Sequence, residues 1–347
     1  METAVAAPLA PAPTRAWQKV VAQYAKPDLR RSLWGLVTSF GPYIALWVAM
    51  VYSLRVSYLL TLALATVAAG FMVRIFIILH DCGHGSYFKS TRANDIFGSL
   101  SGILALTPYF SWRHNHALHH ATAGDLDRRA TWDVPITYTV KEYLKLPAWK
   151  KLIYRIYRSP IVLFGAAPTI LFLIAQRIPV PSAGKREKWS VHFTNLALLA
   201  LFLIIGYFIG FGAVLAIQLP VMIIGATIGV WLFYIQHQFE DTYWEHTDQW
   251  NFAEAALLGS SYYKLPKLLQ WITGNIGLHH IHHLSVRIPN YALQACHDNN
   301  PEFQQVSTIS LLGSLKCISL RLWDEETQKL VSFAHLKTLG RKANNLA

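Results

Sequence analysis

Four apolar blocks, arranged as two close pairs, restrict this chain more than any other feature. Leu33–Tyr52 and Val56–Leu79 are separated only by Ser53–Arg55, and Val191–Ile209 and Ala213–Gln236 only by Gly210–Gly212. Each block is close to the ~20 residues that an α-helix needs to cross a ~30 Å hydrocarbon core. Inside that core every backbone polar group must be satisfied within its own segment, so each block is predicted to be a helix. The short connections fold each pair into a hairpin. Composition agrees, since charged residues are only 14% of the 347, whereas soluble domains carry roughly a quarter. The net charge of +12 fits membrane topology better than nucleic-acid binding, because the basic residues crowd the segments outside the blocks. Arg15, Lys19, Lys26, Arg30 and Arg31 precede the first block, suited to an anionic cytoplasmic membrane surface.

Two further apolar runs are too short to span. Asp95–Tyr109 and Ile161–Ala175 are expected to be embedded without crossing. Val140–Arg158 alternates basic and aromatic residues at helical spacing and predicts one amphipathic helix on the membrane surface. Met1–Thr14 is rich in Ala and Pro with no apolar core, which predicts a disordered tail, not a cleaved signal. Residues 15–347 are expected to form one domain. Cys82, Cys296 and Cys317 show no C-x-x-C spacing and suit reduced thiols.

Histidines gather at the ends of these blocks. His80 ends the second block and begins H-D-C-G-H with His84; W-R-H-N-H-A-L-H-H holds His116, His119 and His120; His237 ends the fourth block; H-H-I-H-H holds His279, His282 and His283. On a helix, positions i, i+3 and i+4 lie on one side, so each triplet is expected to point at a common centre. Neutral imidazole is the commonest metal ligand. Nine are too many for one metal and about right for two. An all-imidazole sphere suits Fe, Cu or Zn, and zinc takes three or four protein ligands, so the number favours a two-metal redox centre. Two irons with dioxygen can take hydrogen from an unactivated methylene. Asp81 beside His80, and Asn275 four residues before His279, are candidates to orient the ligating rings by hydrogen bonds. All the histidines meet only if both hairpins return to the starting side. The fold expected is therefore all-α and integral to the membrane, four spans in two hairpins under a cytoplasmic helical cap that holds the two metals.

H-D-C-G-H at His80–His84, W-R-x-x-H-x-x-H-H at Trp112–His120 and G-N-I-G-L-H-H-I-H-H-L-S at Gly274–Ser285 resemble the three histidine boxes of membrane fatty acid desaturases. The likeness is nearest to the bacterial and plant acyl-lipid Δ12 (omega-6) type. Q-H-Q-F-E-D-T-Y-W at Gln236–Trp244 and R-I-P-N-Y at Arg287–Tyr291 extend it. The resemblance implies a non-haem di-iron enzyme that inserts a cis double bond into a membrane-lipid acyl chain. Dioxygen and two external electrons are consumed, and oleoyl becomes linoleoyl. It implies His80, His84, His116, His119, His120, His237, His279, His282 and His283 as iron ligands, the same set that spacing selects. No H-P-G-G haem motif is present, so electrons are expected from a partner such as ferredoxin. The expected location is a bacterial inner membrane with active site and both termini cytoplasmic. His114 and His280 are extra histidines within the boxes, and their roles stay open. Related boxes occur in membrane hydroxylases and carotenoid ketolases, which use the same oxidant. A metal transporter is the remote alternative, disfavoured because the blocks hold little that ionises beyond Arg74. Trp231, Phe233 and Tyr234 are candidates to line an acyl tunnel, interfacial anchoring being the plainer reading.

Overall fold

A computed structural model describes residues 16–129 and 135–338. The Ala/Pro-rich tail expected at 1–14 lies outside them. A short helix, α1 (Ala16–Tyr24), precedes the first hairpin, α2 (Leu29–Ser53) and α3 (Tyr58–Gly83). Asp28 caps α2 by accepting from the Arg31 amide at 3.0 Å. At the turn between the two helices the Ser53 and Thr61 hydroxyls lie 2.7 Å apart. Next come α4 (Thr91–Leu104) and α5 (Tyr109–Thr122). The second hairpin is α9 (Lys185–Ile209) and α10 (Phe211–His237). It turns on Gly210 alone, at φ +90°, a conformation that glycine adopts without steric cost.

These four helices are each long and apolar enough to cross a membrane. They are not equivalent. The apolar windows of α3 and α10 are 50% and 39% buried within the protein, against 17% for α2 and 11% for α9. So α3 and α10 are the inner pair and α2 and α9 face lipid. Ala65, Ala68, Ala69 and Met72 of α3 pack on Ile217, Val221, Met222 and Ala226 of α10. Small side chains let membrane helices approach closely, and dispersion between them replaces the hydrophobic drive that lipid cannot supply. The chains that end in His80 and His237 are thereby held side by side.

Between the hairpins the chain departs from expectation. Val140–Arg158 is two helices, α6 (Val140–Lys145) and α7 (Ala148–Tyr157), not one. Pro147 has no amide hydrogen to donate and its ring disfavours helix at the preceding residue. Leu146 accordingly takes an extended ψ of 144°. The Ile161–Ala175 run forms a π-helical turn (Val162–Ala166) leading into α8 (Ala167–Leu173), and this segment is bent 60° from α7. The ends of α3, α5 and α10 meet in one place, as described below. An even number of crossings therefore separates them, and the bent segment enters and returns.

The cap is mostly helical, with α11 (Phe252–Leu258), α12 (Lys267–Ile272), α13 (His279–Leu284) and α14 (Asn290–Asp298). It also holds two small sheets of two- and three-residue strands, which leave the fold mostly helical. Strand β1 (Tyr138–Thr139) pairs in parallel with β4 (Leu322–Asp324), which pairs antiparallel with β5 (Lys329–Val331); β2 (Tyr262–Lys264) pairs in parallel with β3 (Thr308–Ser310). Buried Arg158 ties this cap to the end of α7, donating to the carbonyls of Ile136 and Leu320 and to the side chains of Thr137 and Gln238 at 3.0–3.1 Å.

Candidate metal centre

Four helices deliver histidines to one place: the last turn of α3 with the residue just past it, the C-terminal half of α5, the last residue of α10, and nearly all of α13. They form two groups rather than one centre. His80, His84, His116, His120 and His282 make the first, and His119, His237, His279 and His283 the second; within each, the ring nitrogens lie within 4.8 Å of one another. The expectation that each triplet converges on one point is corrected. On α5, His116 and His120 serve the first group while His119 serves the second. On α13, His279 and His283 serve the second while His282 serves the first. At 3.6 residues per turn, i and i+4 differ in direction by about 40°, whereas i+3 falls on the other side of i. Each triplet thus straddles two neighbouring sites.

The donor chemistry fits cations. A neutral imidazole has one N–H and one lone pair. His237 Nδ1 lies 3.1 Å from the Gly259 carbonyl. A carbonyl only accepts, so the proton sits on Nδ1 and the Nε2 lone pair faces inward. His237 Nε2 then meets His119 Nε2 at 3.2 Å and His279 Nε2 at 3.0 Å, and His279 Nε2 meets His283 Nε2 at 3.1 Å. In the first group His120 Nε2 lies 3.1 Å from His116 Nε2 and 3.0 Å from His282 Nε2. The buried Nε2 of His84 has no hydrogen-bond partner among the described residues. Burial, reinforced by neighbouring imidazoles, pushes His84, His116, His120, His279, His282 and His283 well below the ordinary imidazole range. These rings stay neutral, and their converging lone pairs are what a divalent metal satisfies.

Asp81 touches His80 directly. Its Oδ1 accepts from His80 Nδ1 at 3.1 Å, which turns the His80 Nε2 lone pair toward the first group. Its Oδ2 accepts from the Asn290 amide at 2.7 Å and the Asn290 side chain at 2.8 Å. Asn275 stands one step further back than expected. It makes no hydrogen bond to His279; its Nδ2 donates to the Asn290 carbonyl at 3.1 Å. Asn290 and the Gly259 carbonyl were missed by sequence reasoning. Asn290 had a signal, the R-I-P-N-Y run that follows the third box, whereas a backbone carbonyl has none.

The extra histidines go elsewhere. His114 is exposed. His280 is buried with Nε2 3.0 Å from the Phe303 carbonyl, and burial takes its pKa down to about 3. His246 pairs with Asp127 at 3.0 Å and His335 with Asp324 at 3.1 Å. Cys82, Cys296 and Cys317 are free and buried.

An apolar cavity of about 350 Å³ runs from the histidines down between α3 and α10. Its upper wall holds His80, His116, His119 and His279, and its lower wall Met72, Met222, Gly225, Ala226 and Gly229. Phe233 lines it, as the sequence suggested. Trp231 and Tyr234 do not; Trp231 Nε1 donates to the Tyr263 hydroxyl and Tyr234 bonds the carbonyls of Cys317 and Leu320.

Comparison with known proteins adds kinship. Residues 53–309 match the model of the family described as fatty acid desaturase. A fatty acid desaturase of Bacillus subtilis is 47% identical over 92% of this chain and 90% of its own length. An sn-1 oleoyl-lipid 12-desaturase of Picosynechococcus is 29% identical over 81% of this chain and 75% of its own. An sn-1 acyl-lipid omega-3 desaturase (ferredoxin) of Nostoc is 28% identical over 63% of this chain and 61% of its own.

Proposed function

The chain belongs to the fatty acid desaturase family and is an oxidoreductase, and on that premise we propose that it inserts a cis double bond into the acyl chain of a membrane lipid. The observation that carries this reading is the apolar cavity, lined by residues of the spans α3 and α10 and walled at its upper end by histidines of both groups. Its volume lies in the ~300–1,000 Å³ range of small-molecule sites, and its lining suits a hydrocarbon chain better than any polar substrate.

The nine histidines of the two groups are the proposed ligands of two irons. Iron held by these rings would supply the oxidising power for loss of two hydrogens from adjacent methylenes, with dioxygen, two electrons and two protons consumed and two waters formed. The protein does the rest. Asp81 and the Gly259 carbonyl hold the protons of His80 and His237 on Nδ1, so that Nε2 is ready to bind. The walls of the cavity fix which methylenes lie under the histidines and keep water from them. Regiochemistry then follows from how far the chain descends past Gly229 and Gly225. Insertion at Δ12 is the position this reading assigns, supported by relatives named oleoyl-lipid 12-desaturases; the name of the 47% identical relative gives no position. The electron donor proposed is a ferredoxin, as the name of the Nostoc relative mentions one. The Lys and Arg of the connecting segments favour a cytoplasmic cap and termini in a bacterial inner membrane.

Expression in a host that makes monounsaturated but not diunsaturated acids tests the reading. Methyl esters are profiled by gas chromatography–mass spectrometry and double bonds located from disulfide adducts. A diunsaturated ester bearing a new Δ12 bond, absent with His119→Ala, is expected. A new bond elsewhere removes the Δ12 assignment and leaves desaturation standing; hydroxylated or ketone products remove desaturation. A second variant separates cavity from metal. A Cβ on Gly229 would meet no atom within 4 Å, so Gly229→Phe is expected to fold, keep its iron and fill the cavity. Desaturation of long chains should then fall at least tenfold, roughly the loss of 1.4 kcal/mol or more of substrate binding.

A further inference from the structure

A second cavity, of about 270 Å³, lies on the neighbouring side of α3 from the acyl cavity, between α2, α3 and the turn after α12. The two share only Ile77 in their linings. The wall between them is tight, because a Cβ on Gly274 would sit 2.7 Å from Ile77 Cγ2. Unlike the acyl cavity, this one is lined by cations and hydrogen-bonding groups. Arg31 and Arg74 stand in it with Ser39, Tyr87, Asn275 and Tyr291.

Arg74 is the unusual member. It lies nine residues before the end of α3, roughly 13 Å along the helix, within a span. Its guanidinium covers the Trp271 ring at 4.0 Å and one nitrogen donates to the Trp271 carbonyl, but buried Nε has no partner among the described residues. Arg31, in the first turn of α2, touches the Tyr291 carbonyl at 3.5 Å. Neither arginine makes an ion pair with an acid among the described residues. An ionised side chain at membrane depth is costly and normally pairs with something. The carboxylate of Asp28 is taken up by the Arg31 amide at 3.0 Å, so among the described residues no acid neutralises either guanidinium. Trp34, at the edge of the cavity, is 68% exposed, and Val37 one turn deeper is 62% exposed, so this side of the cavity faces lipid tails.

We infer that this cavity binds the phosphate of one glycerophospholipid, held between Arg74 and Arg31, with the lipid's tails lying along the outer surface of α2. Guanidinium groups form paired, charge-assisted hydrogen bonds with phosphate, and a phospholipid is the anion that reaches such a place from the bilayer. The inference rests on the membrane-spanning arrangement and not on the desaturation reaction, so it survives if the proposed reaction fails.

The test uses the full chain purified in mild detergent from membranes containing phosphatidylglycerol. Native mass spectrometry and phosphorus analysis count retained phospholipid. Wild type is expected to keep one phospholipid. Arg74→Gln should reduce retention at least about tenfold and Arg31→Gln several-fold, with Arg74→Lys recovering part of it. Iron content and thermal unfolding report whether each variant is folded, and the exposed Arg31 site carries the test if Arg74→Gln is not. Delipidated protein is also titrated with inorganic phosphate and with phosphatidylglycerol micelles. Equal lipid retention by wild type and both glutamine variants overturns the site. Binding of inorganic phosphate as tightly as of the lipid overturns the lipid assignment in favour of a free-anion site.

Discussion

The two histidine groups share α5 and α13 but take their remaining rings from different spans, α3 for the first and α10 for the second, and they differ in how they are supported. The first has five rings, two of them only partly buried, and behind His80 stands a carboxylate, Asp81, itself held by Asn290. The second has four rings, all buried, and His237 is held by a backbone carbonyl. One site has a ligand to spare and a side chain that sets its orientation. The other has neither, and its geometry depends on the packing of α10. Symmetric chemistry is thus laid on an asymmetric scaffold, which lets the groups be perturbed separately.

The largest effect should come from the second group. His237→Ala leaves three rings there, so iron should fall from two per chain toward one and desaturation to background. In the first group His84→Ala leaves four, and iron should be retained with activity reduced but measurable. Iron analysis alongside the product assay checks both; equal losses would abolish the distinction. Asp81→Asn sharpens it at the next level. An amide cannot hold the His80 proton as a carboxylate does, and loss of such a support typically weakens metal binding roughly 10–100-fold. One iron of two should become chelatable in a timed competition. No side-chain change removes the Gly259 carbonyl, so the second iron should stay resistant.

The smallest effect is that of pH on the metal-free protein. Imidazoles in an unfolded chain titrate near 6.5, whereas burial and mutual repulsion lower His84, His116, His120 and His282 in one group and His279 and His283 in the other. Below about pH 6.5 the unfolded state takes up protons that the folded state refuses, so stability falls as pH falls and is level above that point. Melting curves of the metal-free chain between pH 7.5 and 5 should show the decline, and the iron-loaded chain should show less of it. A flat profile would mean that the groups open without metal.

Much of this was legible in the sequence because membrane and metal impose strict rules. Span length is set by bilayer thickness, so the four helices could be placed to within a few residues, although α3 continues to Gly83 and α9 begins at Lys185. The nine histidines that sequence selects are the nine that the fold gathers. Their division between two groups was not legible, since spacing gives the angle between side chains but not what stands opposite each. Nor was the inner position of α3 and α10, which depends on which apolar face meets protein and which meets lipid. The break at Leu146–Pro147 was legible in the proline itself, although the helical periodicity on both sides of it predicts a single helix; the proline decides. The small sheets were hidden because their strands have two or three residues and pair across long distances, as Tyr138 does with Leu322.

Helix α13 has six residues, fewer than the roughly 12–15 at which a helix begins to hold itself in water. It nevertheless contributes a third of the site, and it is made last. Synthesis at about 5–20 residues per second puts on the order of tens of seconds between the appearance of His80 and that of His283. Both hairpins are therefore made, with half-built histidine groups at their ends, before either group is complete. On the proposed reading, metal binding closes the assembly and fastens α13 to the ends of the earlier spans. Iron starvation during synthesis should thus leave inserted but unlatched protein, ready to be completed when iron returns.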